Sequence, residues 1–586
     1  MVQAVAPPPV REVKETGQHL FECGLYRMLP APLQAQCKTN VHVLRYLHSM
    51  NTEEVGVPEF YPTLNRKLQD LKYRNLLYPV SDNVLVHVWS KPGEERDQYL
   101  IVDPAFQVQL DGKMTRVEEK LLDQVNTISQ AKDGAEREEA ILKALSTICQ
   151  VVDGNANGNS NGHGGDKHRN RGLFGLGNKD SGKVLVTAEE LEAIKYLVLR
   201  DKVGVGVLQP MMNDSHIEDI SCSGIGQVFV EHKVFKSMKS CIDFATHEEL
   251  DQFVIRLSEQ IKRPVTMRNP IVDAVLPDGS RINIVYGREV SQRGSNFSIR
   301  KFADTPLSIL ELVEFGSLDY RMAAYLSIIL EEGMNTFVSG ETASGKTTLM
   351  NAITVFVPPA AKVVSIEDTP EIQVPHQNWL REVAKAQRPG EKGAVVTMMD
   401  LLKAALRQRP NLIIIGEIRG EEGAIAFQAM QTGHAVMATF HASTVEKLIQ
   451  RLTGNPINIP KTYIDNLNVV VIQSAVKLPS GKTVRRAVSI NEIVGYDPTS
   501  NSFSFVEVFR WDPSKDIFEF VGDKNSYILE QKIAPRRGLP PNRKWEIYNI
   551  IEKRARVLQK LHKEKKVTGF YELQKVLAQA QRERIF

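Results

Sequence analysis

The stretch Gly340-Glu-Thr-Ala-Ser-Gly-Lys-Thr347 matches the pattern G-x-x-x-x-G-K-[ST]. Glycines let the backbone curl tightly and approach a phosphate closely, while successive N–H groups and the start of a helix form an anion nest. In such a loop Lys346 reaches the β and γ phosphates, and the Thr347 hydroxyl ligates Mg2+. Residues 336–338 predict a strand before the loop, and residues 347–356 predict a helix after it. The stretch therefore predicts a nucleotide-phosphate site.

Outward from this loop, short apolar runs alternate with helical patterns over residues 306–500. Such alternation is typical of a parallel sheet flanked by helices. The runs that predict its strands are residues 336–338, 363–366, 412–415 and 435–439.

Acidic residues follow two of these runs. Glu367, Asp368 and Glu371 come after the second run, and Glu417 comes after the third. Strand ends of this kind lie along the carboxyl edge of the sheet, where ligands of open α/β sheets bind. One carboxylate can hold Mg2+ while another orients the attacking water. A buried acidic pair with a purely structural role is the alternative.

Two histidines, His434 and His441, flank the run at residues 435–439. Their positions would allow both rings to be held near the γ-phosphate. A structural role, which is more common for a lone histidine, is the alternative.

Patterns elsewhere indicate additional folded segments. Residues 78–80, 84–89 and 99–102 predict a small antiparallel sheet, and a long amphipathic helix is expected over about 117–152 with a break near Asp133. Thr187-Ala-Glu-Glu190 is a capping-box pattern that begins a helix. Five segments are predicted: an N-terminal α+β domain (1–152), a flexible Asn/Gly-rich linker (153–183), an upstream α+β domain (184–305), a core with a helix-flanked parallel sheet (306–500) and a C-terminal β-hairpin and helical region (501–586).

Composition limits the class of protein. The 586 residues are 42% apolar and 24% charged, as in ordinary globular proteins. A net charge of +3 does not support a surface that tracks nucleic acid over its whole length. The five cysteines form no CxxC pair, so neither a disulfide framework nor a zinc site is indicated.

Two features bear on location and partners. No signal peptide is evident, and the longest apolar runs are far below the ~20 residues of a membrane span, so we expect a cytoplasmic protein. Residues 543–586 contain 12 Lys and Arg against 5 Glu, a local charge of +7. This bias indicates either a solvated helical face or contact with an acidic or membrane-proximal partner.

Four stretches together resemble the type II/type IV secretion ATPase superfamily, closest to its archaeal branch of pilus and archaellum motors. They are the loop at 340–347 (Walker A), Ile366-Glu-Asp-Thr-Pro-Glu371 (the aspartate box), residues 413–417 (Walker B) and residues 432–441 (the histidine box). The similarity extends upstream through Ile217-Glu-Asp-Ile220 and Leu276-Pro-Asp-Gly-Ser-Arg281 to Ser298-Ile-Arg-Lys-Phe302. The resemblance implies a RecA-like P-loop motor core at residues 306–500 and an upstream PAS-like α+β domain at residues 184–305 that clamps the nucleotide. The bacterial pilus motors' four-cysteine zinc motif is absent from this sequence.

The resemblance implies roles for individual residues. Glu371 would be the general base, Glu417 would serve the Mg2+ site, and His441 would contact the nucleotide. Arg281 and Arg300, with Arg268 as a further candidate, would close over the phosphates from the upstream domain. The residues expected to bind the cofactors ATP and Mg2+ are Gly340, Thr342, Ala343, Ser344, Gly345, Lys346, Thr347, Thr348, Arg281 and Arg300. Relatives commonly carry a Thr-Arg pair after the position of Trp379, whereas this chain reads Arg381-Glu-Val-Ala-Lys-Ala-Gln-Arg388.

The resemblance also implies a homo-hexameric ATPase motor that assembles or rotates a type IV pilus-like filament. It would act through a polytopic membrane platform protein at the inner face of the membrane, with an anionic lipid surface as a further partner and a hinge at residues 299–306. No nucleic-acid partner is expected. Two alternatives stay open: a RecA-like ATPase that translocates nucleic acid, and a nucleotide-gated scaffold with negligible turnover.

Overall fold

The computed structural model describes residues 21–131, 133–152, 182–302, 305–385, 395–583 and 585–586. The chain forms two compact units, Met1–Phe302 and Ala303–Phe586. The predicted linker at 153–183 lies outside the described residues except for its last two. The five-segment division stays a proposal.

The first unit contains ten helices and twelve strands among its described residues. The helices are α1 (Gly24–Met28), α2 (Ala31–Thr39), α3 (Val41–Ser49), α4 (Thr52–Val55), α5 (Lys113–Leu122), α6 (Val125–Ile128), α7 (Gly134–Ile148), α8 (Ala188–Lys202), α9 (Gln209–Asn213) and α10 (His247–Gln260). The strands are β1 (Glu59–Phe60), β2 (Asn75–Pro79), β3 (Leu85–Trp89), β4 (Gln98–Val102), β5 (Cys149–Val151), β6 (Val184–Val186), β7 (Ile217–Cys222), β8 (Gly226–His232), β9 (Lys236–Phe244), β10 (Ile271–Val275), β11 (Arg281–Val285) and β12 (Asn296–Arg300).

Ten of these strands form one sheet in the order β1-β2-β3-β4-β9-β8-β7-β12-β11-β10. The antiparallel sheet predicted at residues 78–102 is confirmed as β2, β3 and β4. β4 pairs in parallel with β9, which joins this sheet to the strands that follow residue 184. Asp214 is buried below this junction and accepts hydrogen bonds from the hydroxyls of Tyr78 (2.6 Å) and Tyr99 (2.9 Å).

The long helix expected over 117–152 is interrupted twice. α5 begins earlier, at Lys113, and ends at Leu122; the short α6 follows; and Asp133 caps α7 by accepting a hydrogen bond from the Glu136 amide. The break near Asp133 is confirmed. The end of the expected helix was wrong, because residues 149–151 pair in parallel with β6 as strand β5. The capping box at Thr187 is confirmed at the start of α8.

The second unit contains nine helices and nine strands among its described residues. The helices are α11 (Ile309–Glu314), α12 (Tyr320–Glu331), α13 (Lys346–Ile353), α14 (Met398–Arg407), α15 (Glu422–Gln431), α16 (Val445–Thr453), α17 (Ala534–Arg536), α18 (Glu546–Lys563) and α19 (Phe570–Arg582). The strands are β13 (Thr336–Gly340), β14 (Val363–Glu367), β15 (Trp379–Val383), β16 (Leu412–Ile415), β17 (Ala435–Phe440), β18 (Val469–Lys477), β19 (Thr483–Asp497), β20 (Ser502–Asp512) and β21 (Ile517–Phe520).

These nine strands form one sheet in the order β15-β14-β16-β17-β13-β18-β19-β20-β21. The first six are parallel, and the last three continue the sheet antiparallel to β18 and to one another. Successive residues of β16 face opposite cores, since Ile414 packs in one apolar cluster and Ile413 and Ile415 in the other. The predicted helix-flanked parallel sheet is therefore confirmed, and the carboxyl ends of its strands share one edge.

The C-terminal helices pack on one face of this sheet. Leu558 of α18 and Leu573 and Leu577 of α19 belong to the same apolar cluster as Val338 of β13. Over the described ranges, the structure has no helix that is both long enough and apolar enough to cross a membrane.

Candidate functional site

The backbone of the loop between β13 and α13 requires glycine at two positions, Gly340 and Gly345. A Cβ atom on Gly340 would lie 2.0 Å from the carbonyl oxygen of Gln473 and 2.7 Å from Ser344 Oγ, so any side chain there would clash. Gly345 caps α13 with φ 94°, a left-handed conformation that favours glycine, and Ala343 also has a positive φ of 60°. The backbone therefore curls at the start of the helix, as an anion nest requires.

Two side chains of this loop fit a phosphate group. Lys346 is buried, and its Nζ donates to the carbonyl oxygen of Glu341 (2.9 Å) on the same loop. Burial lowers the pKa of Lys346, an effect that the charge of Glu417 opposes. The Ser344 hydroxyl is buried and has no hydrogen-bond partner among the described residues. Phosphate oxygens would satisfy both donors.

Thr347 and Thr348 occupy the first turn of α13 and are half-buried, while Thr342 is exposed on the loop. In the described part of the chain, no three His, Cys, Asp or Glu side chains are grouped to hold a metal ion. Mg2+ at nucleotide sites takes only one or two protein ligands and completes its shell with phosphate oxygens and water. Thr347 and Glu417, the two predicted Mg2+ ligands, stay a prediction.

Glu417 lies directly beyond β16 in a turn that β17 holds in place. The Thr439 hydroxyl donates to the carbonyl oxygen of Gly416 (2.5 Å), and the Ile418 amide donates to the carbonyl oxygen of Thr439 (3.1 Å). The Glu417 carboxylate lies between two side chains, with Oε1 3.1 Å from His441 Nε2 and Oε2 2.6 Å from Arg419 Nη2. The structure thus brings the predicted residues Glu417 and His441 together.

His441 follows β17 at the same sheet edge as the loop. Ser339, in β13, donates its hydroxyl to the carbonyl oxygen of Ala442 (2.7 Å) and accepts from the Ala442 amide (3.2 Å). This pair of bonds holds the end of β17 beside the phosphate loop. Burial lowers the pKa of His441, although Glu417 acts in the opposite direction.

Of the two interpretations of His434, the structure excludes a position near the phosphates. It precedes β17, whereas His441 follows that strand, and β17 runs parallel to β13. At about 3.3 Å per residue the two histidines are roughly 20 Å apart, so His434 lies at the opposite edge of the sheet from the loop. Its ring instead contacts the Thr432 hydroxyl (3.1 Å).

The turn after β14 is built around a buried carboxyl group. Glu367 is 1% exposed, and its Oε1 accepts hydrogen bonds from the amides of Glu371 (2.6 Å) and Ile372 (2.7 Å). Burial raises the pKa of Glu367 to about 7. Asn351 of α13 also holds this turn, since its Nδ2 donates to the carbonyl oxygen of Glu371 (3.0 Å). The predicted base Glu371 is therefore fixed by its backbone, while its side chain is exposed.

Arg419 links the two acidic turns. Its guanidinium contacts Glu417 on one side and Asp368 Oδ2 (3.0 Å) on the other. The hydrogen bond to Glu417 raises the pKa of Arg419. The turns after β14 and β16 follow neighbouring strands of the sheet, and a single cation bridges one carboxylate of each.

Comparisons with known proteins agree with this arrangement. A family model described as "Type II/IV secretion system protein" matches residues 201–502, just over half of the chain. The uncharacterized protein MJ0900 of Methanocaldococcus jannaschii is 41% identical over 535 residues, covering 91% of this chain and 94% of that protein. The chain belongs to the type II/IV secretion system protein family.

Two further proteins are similar to this chain at lower identity. The type IV secretion system protein VirB11 of Brucella suis is 28% identical over 327 residues, which is 50% of this chain and 89% of VirB11. The crystal structure of the ATPase DotB of Legionella pneumophila matches with 18% identity and a TM-score of 0.37, over 62% of this chain and 93% of DotB. The resemblance inferred from the four motifs is confirmed, and the matches from Methanocaldococcus jannaschii fit its archaeal branch.

The arginines expected to serve this family's site belong to the first unit. Arg281 and Arg300 are directly opposite each other on β11 and β12, and both are exposed. Arg300 contacts Asp219 (3.2 Å), and Arg268 is exposed in the turn before β10. Their action on nucleotide stays a prediction. Of the basic residues after Trp379, Arg381 is 3.7 Å from Glu367 Oε2, and Arg388 lies outside the described residues.

The sequence motifs did not indicate several residues that hold the phosphate loop or the turn after β14. Arg485 of β19 donates from Nε to the carbonyl oxygen of Ala343 (3.1 Å), and Gln473 of β18 is buried behind the loop with its Oε1 unpartnered among the described residues. Both lie more than 120 residues beyond the loop, so nothing in the local sequence connects them with it. Asn351, by contrast, lies on α13 in the turn after Lys346, and its polarity on a buried face was a usable signal.

A cavity of about 700 Å³ adjoins the loop and α16. Its lining includes Glu341, Thr342, His441, Lys447, Arg451 and Asn455. Arg451 donates to the carbonyl oxygen of His441, and its guanidinium lies over the Phe440 ring (5.1 Å). The side of the loop next to His441 is thus open and carries two cations.

Proposed function

We propose that this chain is the ATPase subunit of a hexameric motor that couples hydrolysis of Mg2+-ATP to assembly or rotation of a type IV pilus-like filament. The proposal is supported most by one observation: Glu417, His441 and Arg419 form a contact chain at the sheet edge that also carries the phosphate loop. The charge of Glu417 acts on Lys346 within this site. A nucleotide-binding site without turnover would not need this set of acidic groups.

In this proposal, different residues of the second unit bind the phosphates, bind Mg2+ and accept the proton. Lys346, Ser344 and the loop amides hold the phosphates, and Thr347 and Glu417 hold Mg2+. The bound Mg2+ neutralises phosphate charge. The exposed carboxylate of Glu371 takes the proton of the attacking water. Hydrogen bonds with Glu367 and Asn351 fix the backbone of Glu371 and so hold this carboxylate in position. His441, placed beside Glu417, senses whether the γ-phosphate is present.

The first unit would supply Arg281 and Arg300 to the phosphates, with movement about residues 299–306. Six copies would form a ring that acts on a polytopic membrane platform protein from the cytoplasmic side. Membership in the type II/IV secretion system protein family and similarity to the type IV secretion system protein VirB11 support a role in such a machine.

The test uses Lys346→Ala and Glu371→Gln in the purified full chain. Lys346→Ala should abolish nucleotide binding or turnover, because it removes the cation that the phosphates contact. Glu371→Gln should bind ATP with unchanged affinity and lose turnover by about a hundredfold or more, as expected for loss of a general base. The matched controls are Lys403→Ala and Glu519→Gln, which alter exposed residues of α14 and β21.

Three outcomes would overturn parts of the proposal. Full turnover in Glu371→Gln removes this residue as the base. Absence of phosphate release in the unaltered protein leaves only a nucleotide-gated scaffold. Stimulation of turnover by DNA or RNA, without an effect of the membrane platform protein that co-purifies with the native chain, assigns the motor to nucleic acid.

A further inference from the structure

The outer face of α18 carries a row of basic side chains. Ile547, Ile551 and Leu558 mark the buried face of this helix. At 100° per residue, the exposed residues Trp545, Asn549, Lys553, Arg556, Lys560 and Lys563 fall within an arc of about 80° on the opposite face. The row is about 27 Å long. Packing of the helix in the second unit therefore presents these charges outward.

The four cations of this row are not used by the fold. Within the ranges that the structure describes, Lys553, Arg556, Lys560 and Lys563 form no ion pair, and no Asp or Glu lies inside the arc. Acidic residues beside α18 have other partners: Glu552 pairs with Arg321 (2.9 Å), and Glu331 pairs with Arg554 on the buried face. The row thus differs from an ordinary solvated face, where charges of both signs alternate.

The charge of this region contrasts with the rest of the chain. Residues 543–586 carry +7 by sequence, so residues 1–542 together carry −4, since the whole chain carries +3. Lys565 and Lys566 continue the basic row directly after α18, and both are exposed. A concentration of one sign on one face attracts an anionic surface and is screened by salt.

Aromatic side chains border the same region. Trp545, at the start of the row, is 51% exposed, and Tyr571, in the first turn of α19, is 45% exposed. Trp and Tyr prefer the boundary between water and lipid, because each has an apolar ring and a polar group.

We infer that the outer face of α18 docks on an anionic lipid surface, with Lys553, Arg556, Lys560 and Lys563 against the headgroups and Trp545 at the boundary. Three of the four cations are lysines, which act as point charges and need no planar acceptor. A planar array of headgroup charges matches it along its whole length, and clustered basic residues of this kind bind anionic membranes.

The test measures sedimentation of the full chain with vesicles and needs no ATP turnover, so its failure is distinguishable from failure of the proposed ATPase activity. One set of vesicles contains phosphatidylglycerol and phosphatidylcholine in equal parts, and the other contains phosphatidylcholine alone. The variant K553Q/R556Q/K560Q/K563Q removes the row. The matched control K38Q/K143Q/K262Q/K403Q removes the same charge from exposed lysines elsewhere in the chain.

Binding is expected only to the anionic vesicles, and raising the salt from about 0.1 M to about 0.5 M should weaken it. The row variant should lose binding by at least about tenfold, while the control keeps nearly all of it. In the unaltered protein, brominated lipids in the anionic vesicles should quench tryptophan fluorescence. The variant Trp545→Phe should lose most of that quenching.

Equal binding by the row variant and the unaltered protein overturns the inference. Binding to polyglutamate without binding to anionic vesicles assigns the face to an acidic protein instead. A change in the oligomeric state of the row variant, without loss of vesicle binding, assigns it to contact between copies of this chain.

Discussion

Two neighbouring strands of the second unit, β14 and β16, each lead into a turn that carries glutamates, yet the turns differ in chemistry. Glu367, after β14, is 1% exposed and accepts two backbone hydrogen bonds. The side chain of Glu417, after β16, is 16% exposed and contacts Arg419 and His441. Burial favours the protonated form of the first carboxyl group and outweighs the opposing charge of Arg381, 3.7 Å away, whereas two ion-pairing partners contact the second.

The difference shows that position at a sheet edge does not decide the role of a carboxylate. Glu367 shapes the turn, and this fixes the backbone of Glu371 while leaving its side chain exposed. Glu417 lies after β16 at the sheet edge that carries the phosphate loop, and its charge opposes the effect of burial on the pKa of Lys346. In our proposal one acid is structural, one binds metal and one is the base, and the following substitutions test that separation.

The largest effect is expected for Glu417→Gln. The amide keeps the size of the side chain but removes the negative charge between Arg419 and His441, and we expect kcat for phosphate release to fall by about a hundredfold or more. Nucleotide binding, measured with a fluorescent ATP analogue, should stay measurable. Glu519→Gln serves as the control. A kcat within about threefold of the unaltered protein would show that Glu417 is as structural as Glu367.

A smaller decrease in kcat is expected for Arg419→Gln. This residue is the cation shared by Asp368 and Glu417, so its removal leaves like charges on adjoining turns. We expect kcat to fall by about tenfold while KM for ATP changes little. Steady-state phosphate release over a range of Mg2+ concentrations measures both. If kcat and KM both stay unchanged, the contacts of Arg419 with the two acidic turns have no part in turnover.

Glu367→Gln should affect stability more than turnover. The folded protein holds the Glu367 proton up to about pH 7, whereas an ordinary glutamate releases it near 4.5. The unaltered protein therefore loses stability as pH rises through this window, by up to about 3 kcal/mol from this group. Glutamine accepts the same backbone hydrogen bonds and does not ionise.

Urea unfolding at pH 4.5 and pH 7.5 measures this difference. The unfolding free energy of Glu367→Gln relative to the unaltered protein should rise by about 3 kcal/mol from the lower to the higher pH. Turnover at neutral pH should stay within about threefold. A difference in stability that is independent of pH would show that Glu367 titrates like an exposed acid.

Local patterns were sufficient for the centre of the second unit. The apolar runs became β13, β14, β16 and β17, because each run is short, bounded by polar residues and buried on both faces. The loop at 340–347 could be placed for the same reason, since its glycines are required by contacts within the loop and with β18.

Contacts between distant segments could not be derived in this way. Glu367 has a structural role because its carboxyl group is buried, and the positions of the acidic residues in the sequence do not predict that burial. His434 was misplaced because proximity to a strand was considered without its direction. Arg485 and Gln473 reach the loop from β19 and β18, and only the order of strands in the sheet brings them there.

The smallest effect is expected for Arg485→Gln. Its bond to the carbonyl oxygen of Ala343 fixes a loop residue that has a positive φ, so Arg485 positions the loop that binds phosphate. Because the side chain is exposed, losing one hydrogen bond should raise KM for ATP by about threefold and leave kcat nearly unchanged. Arg510→Gln on β20 removes a similar exposed arginine that pairs with Glu507 instead. An equal rise in KM in both variants, or a fall in kcat confined to Arg485→Gln, would contradict a positioning role, since the first is a general effect of charge and the second places Arg485 in the chemical step.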